Sequence, residues 1–176
     1  GASSFDQSLS SWDVSGVSDM SFMFYGASSF DQDLGSWNVS SLAAGTSNGA
    51  YYMFYNAGLS TSNYDSLLIG WASQSVNSGV YLHAGSSRYS ASAKLSRDVL
   101  TGSPNEWIIT DGGLDDSGVF ISTWNTSLVG GTGSNDTTVV LPISGSFFVD
   151  WGDGVFEDSV VSHTYAAPGV YTVKVY

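Results

Sequence analysis

The sequence predicts an α/β solenoid of short parallel strands and short helices over residues 1–113, followed by an all-β sandwich over residues 114–176. Three observations lead there. The chain matches itself at a 25-residue step, each repeat carries strand-like and then helix-like apolar spacing, and the pattern changes to short alternating runs after Asp111-Gly112-Gly113.

The repeat comes first in the chain. GASSFDQ at Gly1 to Gln7 returns letter for letter at Gly26 to Gln32, and Leu9, Trp12 and Val14 return as Leu34, Trp37 and Val39. Met23-Phe24-Tyr25 reappears as Met53-Phe54-Tyr55 after a five-residue insertion within residues 42–50. In each unit the runs 12–14 and 37–39 place apolar residues two apart, as a strand does. Met20, Met23, Phe24 and Ala27 then fall at helical spacing, and Ala50, Met53, Phe54 and Ala57 repeat it. One such coil cannot bury its apolar stripe alone, so neighbouring coils are expected to cover it.

A third unit keeps the grammar. Tyr64, Leu67, Leu68 and Trp71 share one helix face, Ser62 and Asp65 have capping-box spacing, and a strand is expected at 80–82. A fourth helix starts from an N-cap at Ser90 or Ser92, runs through Leu95 and Val99 and stops at Gly102 and Pro104 before a strand at 107–109. In the second half, strands are expected at 119–124, 137–141, 147–151, 160–165 and 170–176. Gly152-Asp153-Gly154 suits a hairpin turn with positive φ.

Composition narrows the function classes. Lys and Arg number 4 against 16 Asp and Glu, a net charge of -12, which opposes binding to a phosphate backbone and disfavours an anionic membrane surface. No apolar run approaches the roughly 18 residues of a spanning helix. Without any Cys, neither disulfides nor thiolate metal sites can form. The Ser- and Gly-rich, Lys-poor composition fits an extracellular setting. Gly1 opens inside a repeat motif and Tyr176 closes inside a strand-like run, which points to a module of a longer chain.

At GASSFDQSLSSWDVSGVSDMSFMF the sequence resembles the BspA-like leucine-rich-repeat surface proteins of bacteria, whose unit reads close to GAxxFxQxLxxWxVSxVxxMxxMF. YDSLLIGWA, AGSSRYS and WIITDGG resemble the segment that closes such arrays, so the resemblance covers roughly residues 1–113. The second unit departs from the pattern at 43–49, where a bulge or altered surface loop is expected. FFVDWGDG followed by HTYAAPGVYTVKV resembles a polycystic-kidney-disease (PKD) domain, an immunoglobulin-like sandwich. That resemblance makes Tyr171, after Pro168-Gly169, the tyrosine that latches one end. Such domains usually continue beyond the position of Tyr176, so the sheet edge there is expected to be bare or completed by other strand material.

The candidate chemistry is sparse. His83 and His163 are the only histidines. Asp150 with Asp153, or Asp115 with Asp116, could form the carboxylate pair of a glycosidase, but the sequence implies no cleft around either. Calcium is the metal to weigh: Asp111, Asp115 and Asp116 gather at the expected boundary, and Asp150, Asp153, Glu157 and Asp158 crowd one hairpin. Turn-forming carboxylates that accept backbone N–H bonds explain the same letters. No other cofactor is expected. Asp6-Gln7 and Asp31-Gln32 read as a polar ladder between coils rather than a ligand face. Asn38, Asn125 and Asn135 fit the Asn-Xaa-Ser/Thr glycosylation rule.

Of the six Trp, periodicity buries Trp12, Trp37, Trp71 and Trp107 in the array and leaves Trp124 and Trp151 partly exposed. The expected role is therefore non-enzymatic: a structural or adhesive module of an extracellular bacterial surface protein. The solenoid would present an interaction face to a protein or glycan, and the sandwich would act as a spacer. Two alternatives stand beside it, a fibre subunit joined to copies of itself through solenoid ends or strand addition, and a carbohydrate-binding module.

Overall fold

A computed structural model describes residues 2–127 and 137–176. The chain forms two compact units, Gly1–Asp115 and Asp116–Tyr176.

In the first unit the elements are β1 (Gly45–Ala50), α1 (Thr61–Ala72), β2 (Val80–His83), α2 (Ala91–Thr101) and β3 (Ile108–Thr110), with the strands in a parallel sheet ordered β1-β2-β3. α1 forms where the apolar stripe placed it, with Tyr64, Leu67, Leu68 and Trp71 buried. Its cap is Ser60, whose hydroxyl accepts from the Asn63 N–H, and not the expected pair of Ser62 and Asp65. α2 starts from Ser90 and ends at Gly102. Its Leu100 is buried, whereas Leu95 and Val99 are exposed. β1 occupies the stretch expected to bulge, and its pairing with β2 does shift register between Gly45 and Ala50.

The second unit holds β4 (Phe120–Asn125), β5 (Thr138–Val140), β6 (Phe148–Asp150), β7 (Phe156–Asp158), β8 (Ser162–Thr164) and β9 (Val170–Val175). One antiparallel sheet is ordered β4-β9-β6-β7 and a second consists of β5 and β8. Val139, Leu141, Phe147, Val149, Trp151, Tyr165 and Val173 form its core. Gly152 and Gly154 take positive φ in the β6–β7 turn, and the Tyr171 hydroxyl donates to the Ala167 carbonyl at 2.7 Å.

These observations overturn the predicted architecture. Among the described residues there are two helices and three small sheets, with neither a solenoid of strand–helix coils nor one large sandwich. No strand forms at 12–14 or 37–39 and no helix at 20–27 or 50–57. The reason is where the backbone hydrogen bonds go. The Met20, Phe22, Phe24 and Gly26 N–H groups donate sideways to the carbonyls of Gly49, Tyr51, Met53 and Tyr55, so they cannot close helical turns. Phe22, Tyr52 and Asn56 sit at positive φ, which also breaks a helix. At 13–15 and 38–40, Asp13 and Asn38 accept the N–H of Ser15 and Ser40, which bends the chain out of an extended course. In the second unit β9 lies between β4 and β6, so the strand ending beside Tyr176 is central and not the expected open edge.

The first core runs without a break from Leu9 to Trp107. Three of its indoles repeat one bond between neighbouring segments. Trp37 Nε1 donates to the Leu9 carbonyl at 2.9 Å, Trp71 Nε1 to Leu34 at 3.0 Å and Trp107 Nε1 to Asn77 at 2.9 Å. Trp12 departs from its expected burial and is 53% exposed.

Gly70 shows how closely the segments approach. A Cβ there would run into the Gly35 backbone, and one on Gly35 would meet the carbonyl of Ser66. Helix propensity alone makes Gly→Ala favourable by about 1 kcal/mol. Overpacking reverses the sign, and we expect Gly70→Ala to lose on the order of 1–3 kcal/mol in denaturant unfolding.

Candidate functional site

One feature that could meet a partner is an aromatic face on the first unit. The MFY triplets and β2 create it by alternation. Met53, Phe54, Val80 and Leu82 point into the core, while Phe22, Tyr25, Tyr51, Tyr52, Tyr55, Tyr81 and His83 remain partly or largely exposed. Sideways hydrogen bonding brings these rings into register. Tyr25 stacks on Tyr55 at 5.3 Å, Tyr55 reaches His83 at 5.3 Å, and Tyr51 reaches Tyr81 at 5.4 Å. Tyr52 lies 5.1 Å from His83, and Phe22 meets both Tyr51 and Tyr52 edge-on at 5.7 Å.

The face is uncharged as well as aromatic. Burial lowers the His83 pKa below its usual 6.5, against a backbone hydrogen bond that raises it, and Nδ1 accepts the Gly85 N–H, so the ring is neutral at pH 7. Two hollows adjoin the rings. A polar one of about 490 Å³ is lined by Ser28, Tyr55, Asn56, Gly58, His83 and Ser86, and an apolar one of about 690 Å³ is bordered by Phe5, Leu9, Trp12, Phe22 and Met23. Tyr25 and Tyr55 stack face to face, 14° from parallel.

The family model described as "Mycoplasma protein of unknown function, DUF285" matches residues 1–94, just over half of the chain and all of the aromatic face. The chain belongs to the DUF285 family. DUF285 is associated with BspA-like repeats, in keeping with the coarser part of the resemblance drawn from the repeat. No curated protein and no solved structure matches the chain. The DUF285 match ends at residue 94, inside α2, so the second unit lies outside it.

The carboxylates considered for calcium lie outside the DUF285 segment. Asp111 accepts from Arg97 and from the Tyr64 hydroxyl, both at 2.8 Å, and Asp115 accepts from Thr61 at 3.3 Å. Asp116 uses its carbonyl to cap the turn at Val119. Asp150 accepts the Gly152 N–H, Asp158 accepts from Ser159, and Glu157 accepts from Trp151 Nε1 at 2.8 Å. No group of three or more His, Asp or Glu side chains able to hold a metal forms among the described residues.

Asp153 pairs with His163 at 2.8 Å, and the His163 ring stacks on Trp151, which is fully buried instead of partly exposed. His83 touches Tyr52 and Tyr55. Asn38 and Asn125 are engaged in turns through Ser40 and Ser127, and Asn135 lies outside the described residues.

The repeated acidic residues link neighbouring segments. Asp6 accepts from Asp31 N and Gln32 Nε2, Asp31 accepts from Ser60 and Asn63, and Asp65 accepts from Ser90. The bond from the Asp31 N–H, then that from Gln32, holds the Asp6 carboxyl below its usual 3.8. At Asp153 burial acts upward, but the His163 and Val155 bonds outweigh it and the net direction is again down. A carboxyl whose folded pKa is depressed contributes stability above its unfolded value and loses it as pH falls through the folded one. Relative to wild type, Asp6→Asn is therefore expected to show a shallower loss of Tm below about pH 4, measured by calorimetry across pH.

Proposed function

We propose that the chain is a non-enzymatic adhesive module of an extracellular bacterial surface protein. The aromatic face of its first unit makes the contact with a partner protein, and the second unit serves as a spacer. The observation that carries this reading is the face itself, seven uncharged rings in mutual contact on a chain of net charge -12. Tyr-rich surfaces supply large contact area at low entropic cost while their hydroxyls adapt to polar groups.

The test is retention of the purified chain on protein-coated and on glycan-coated surfaces. Retention on protein, reduced at least about tenfold by the double substitution Tyr51→Ser and Tyr55→Ser, is the expected result. Retention by glycans alone, or retention indifferent to these rings, overturns the reading.

A further inference from the structure

Five of the ten tyrosines form one unbroken string on the first unit. Tyr25 stacks on Tyr55 at 5.3 Å, Tyr55 meets Tyr52 at 4.9 Å, Tyr52 meets Tyr51 at 4.2 Å, and Tyr51 meets Tyr81 at 5.4 Å. The string crosses segments that are far apart in sequence. Tyr25 belongs to the first repeat, Tyr51, Tyr52 and Tyr55 to the second, and Tyr81 to β2. The Phe24 N–H donates to the Met53 carbonyl at 2.9 Å and the Gly26 N–H to the Tyr55 carbonyl at 2.8 Å, which fixes the backbones on which Tyr25 and Tyr55 stand.

The rings themselves are less confined than their backbones. Tyr25 is 39% exposed and the other four are half-buried, so each ring has room to turn about its side-chain bonds while the Cα atoms stay paired. A second tyrosine pair, Tyr165 with Tyr171 at 3.6 Å, is held differently. Tyr165 is buried, and the two hydroxyls donate to the carbonyls of Trp151 and Ala167.

We propose that the Tyr25–Tyr55 stack is a site of oxidative cross-linking, in which a one-electron oxidant of the peroxidase class, consuming hydrogen peroxide, joins the two rings as dityrosine. Each phenol gives one electron to the oxidant and its hydroxyl proton to water. The two phenoxyl radicals then form a carbon–carbon bond between ring carbons ortho to the oxygens. Each bonded carbon releases its hydrogen as a proton while its ring oxygen regains one, and the peroxide is reduced to two waters. The chain as a whole loses two hydrogen atoms. Tyr52, Tyr51 and Tyr81 widen the target, because a radical formed on any of them is in contact with the next ring. In a sequence without Cys, the product supplies the covalent tie between segments that a disulfide gives elsewhere. The chemistry needs only this ring geometry and is independent of any adhesive role.

The experiment treats the full 176-residue chain, dilute enough to stay monomeric, with a haem peroxidase and limiting hydrogen peroxide. Monomer lighter by two hydrogens is expected, with the blue fluorescence of dityrosine, a Tyr25–Tyr55 link in the peptide map and a raised Tm. Oxidation of Met23 adds oxygen and raises the mass, so it is not confused with the link. Tyr55→Phe keeps a ring in the stack but cannot couple, and is expected to abolish the cross-link at Tyr25 while leaving the Tm of the untreated protein unchanged. Absence of the two-hydrogen loss overturns the proposal. So does a link mapped elsewhere, at Tyr165–Tyr171 or between chains, or a link at Tyr25 that survives Tyr55→Phe.

Discussion

Trp37→Ala is expected to lower the unfolding free energy of the first unit by about 3–5 kcal/mol, whereas Trp12→Ala, the same letter in the preceding repeat, costs under about 1 kcal/mol. The two indoles differ in what surrounds them. Trp37 is fully buried, packs at 6.3 Å from Phe24, and donates to the Leu9 carbonyl from inside the core. Truncation removes the ring from a continuous core and leaves that carbonyl short of its donor, so a cavity term and an unpaired polar group add. Trp12 lies at the border of the open hollow with most of its surface in water. Near-UV circular dichroism in a denaturant titration, read on the transition of the first unit, measures both. Equal losses for the two variants would show that the core does not pass through Trp37.

That contrast marks what the sequence can disclose here. α1 was legible because its stripe of Tyr64, Leu67, Leu68 and Trp71 is satisfied within one local helix, and all four side chains are buried. The same spacing at Met20–Ala27 misleads, because alternate N–H groups that a helix would use are taken by residues 29 positions away. Periodicity records which residues are buried and says nothing of where their backbone bonds go.

β7 escaped notice because Phe156, Glu157 and Asp158 do not alternate in a way that separates a strand from a turn. The aromatic face was missed for a related reason. A helical reading sends Tyr25 and Tyr55 to scattered solvent positions, whereas side-by-side segments bring them within 5.3 Å. The recurrence of Tyr directly after each Met-Phe pair was the available signal.

Asp111→Ala is expected to destabilise the first unit by about 3–5 kcal/mol. Its side chain is 4% exposed and ties three places together: Arg97 in α2 at 2.8 Å, the Tyr64 hydroxyl in α1 at 2.8 Å, and the Gly113 N–H in the loop after β3 at 3.1 Å. Burial, then the Asp111 charge, drives the Tyr64 phenol pKa far upward, so Tyr64 is a neutral donor at any working pH. Burial acts against the Arg97 guanidinium, but the bond and charge of Asp111 more than restore its protonated form. Removing the carboxylate leaves the half-buried cation over the Tyr89 ring at 5.1 Å as its remaining described contact, and leaves the Tyr64 hydroxyl without its acceptor inside the core. A pair substituted together loses less than the sum of its parts when the penalty comes from the stranded charge. Asp111→Ala combined with Arg97→Met should therefore recover at least about 1 kcal/mol over Asp111→Ala alone in urea unfolding. If the double variant is no more stable than the single one, the loss comes from the Tyr64 and Gly113 bonds and not from the uncompensated guanidinium.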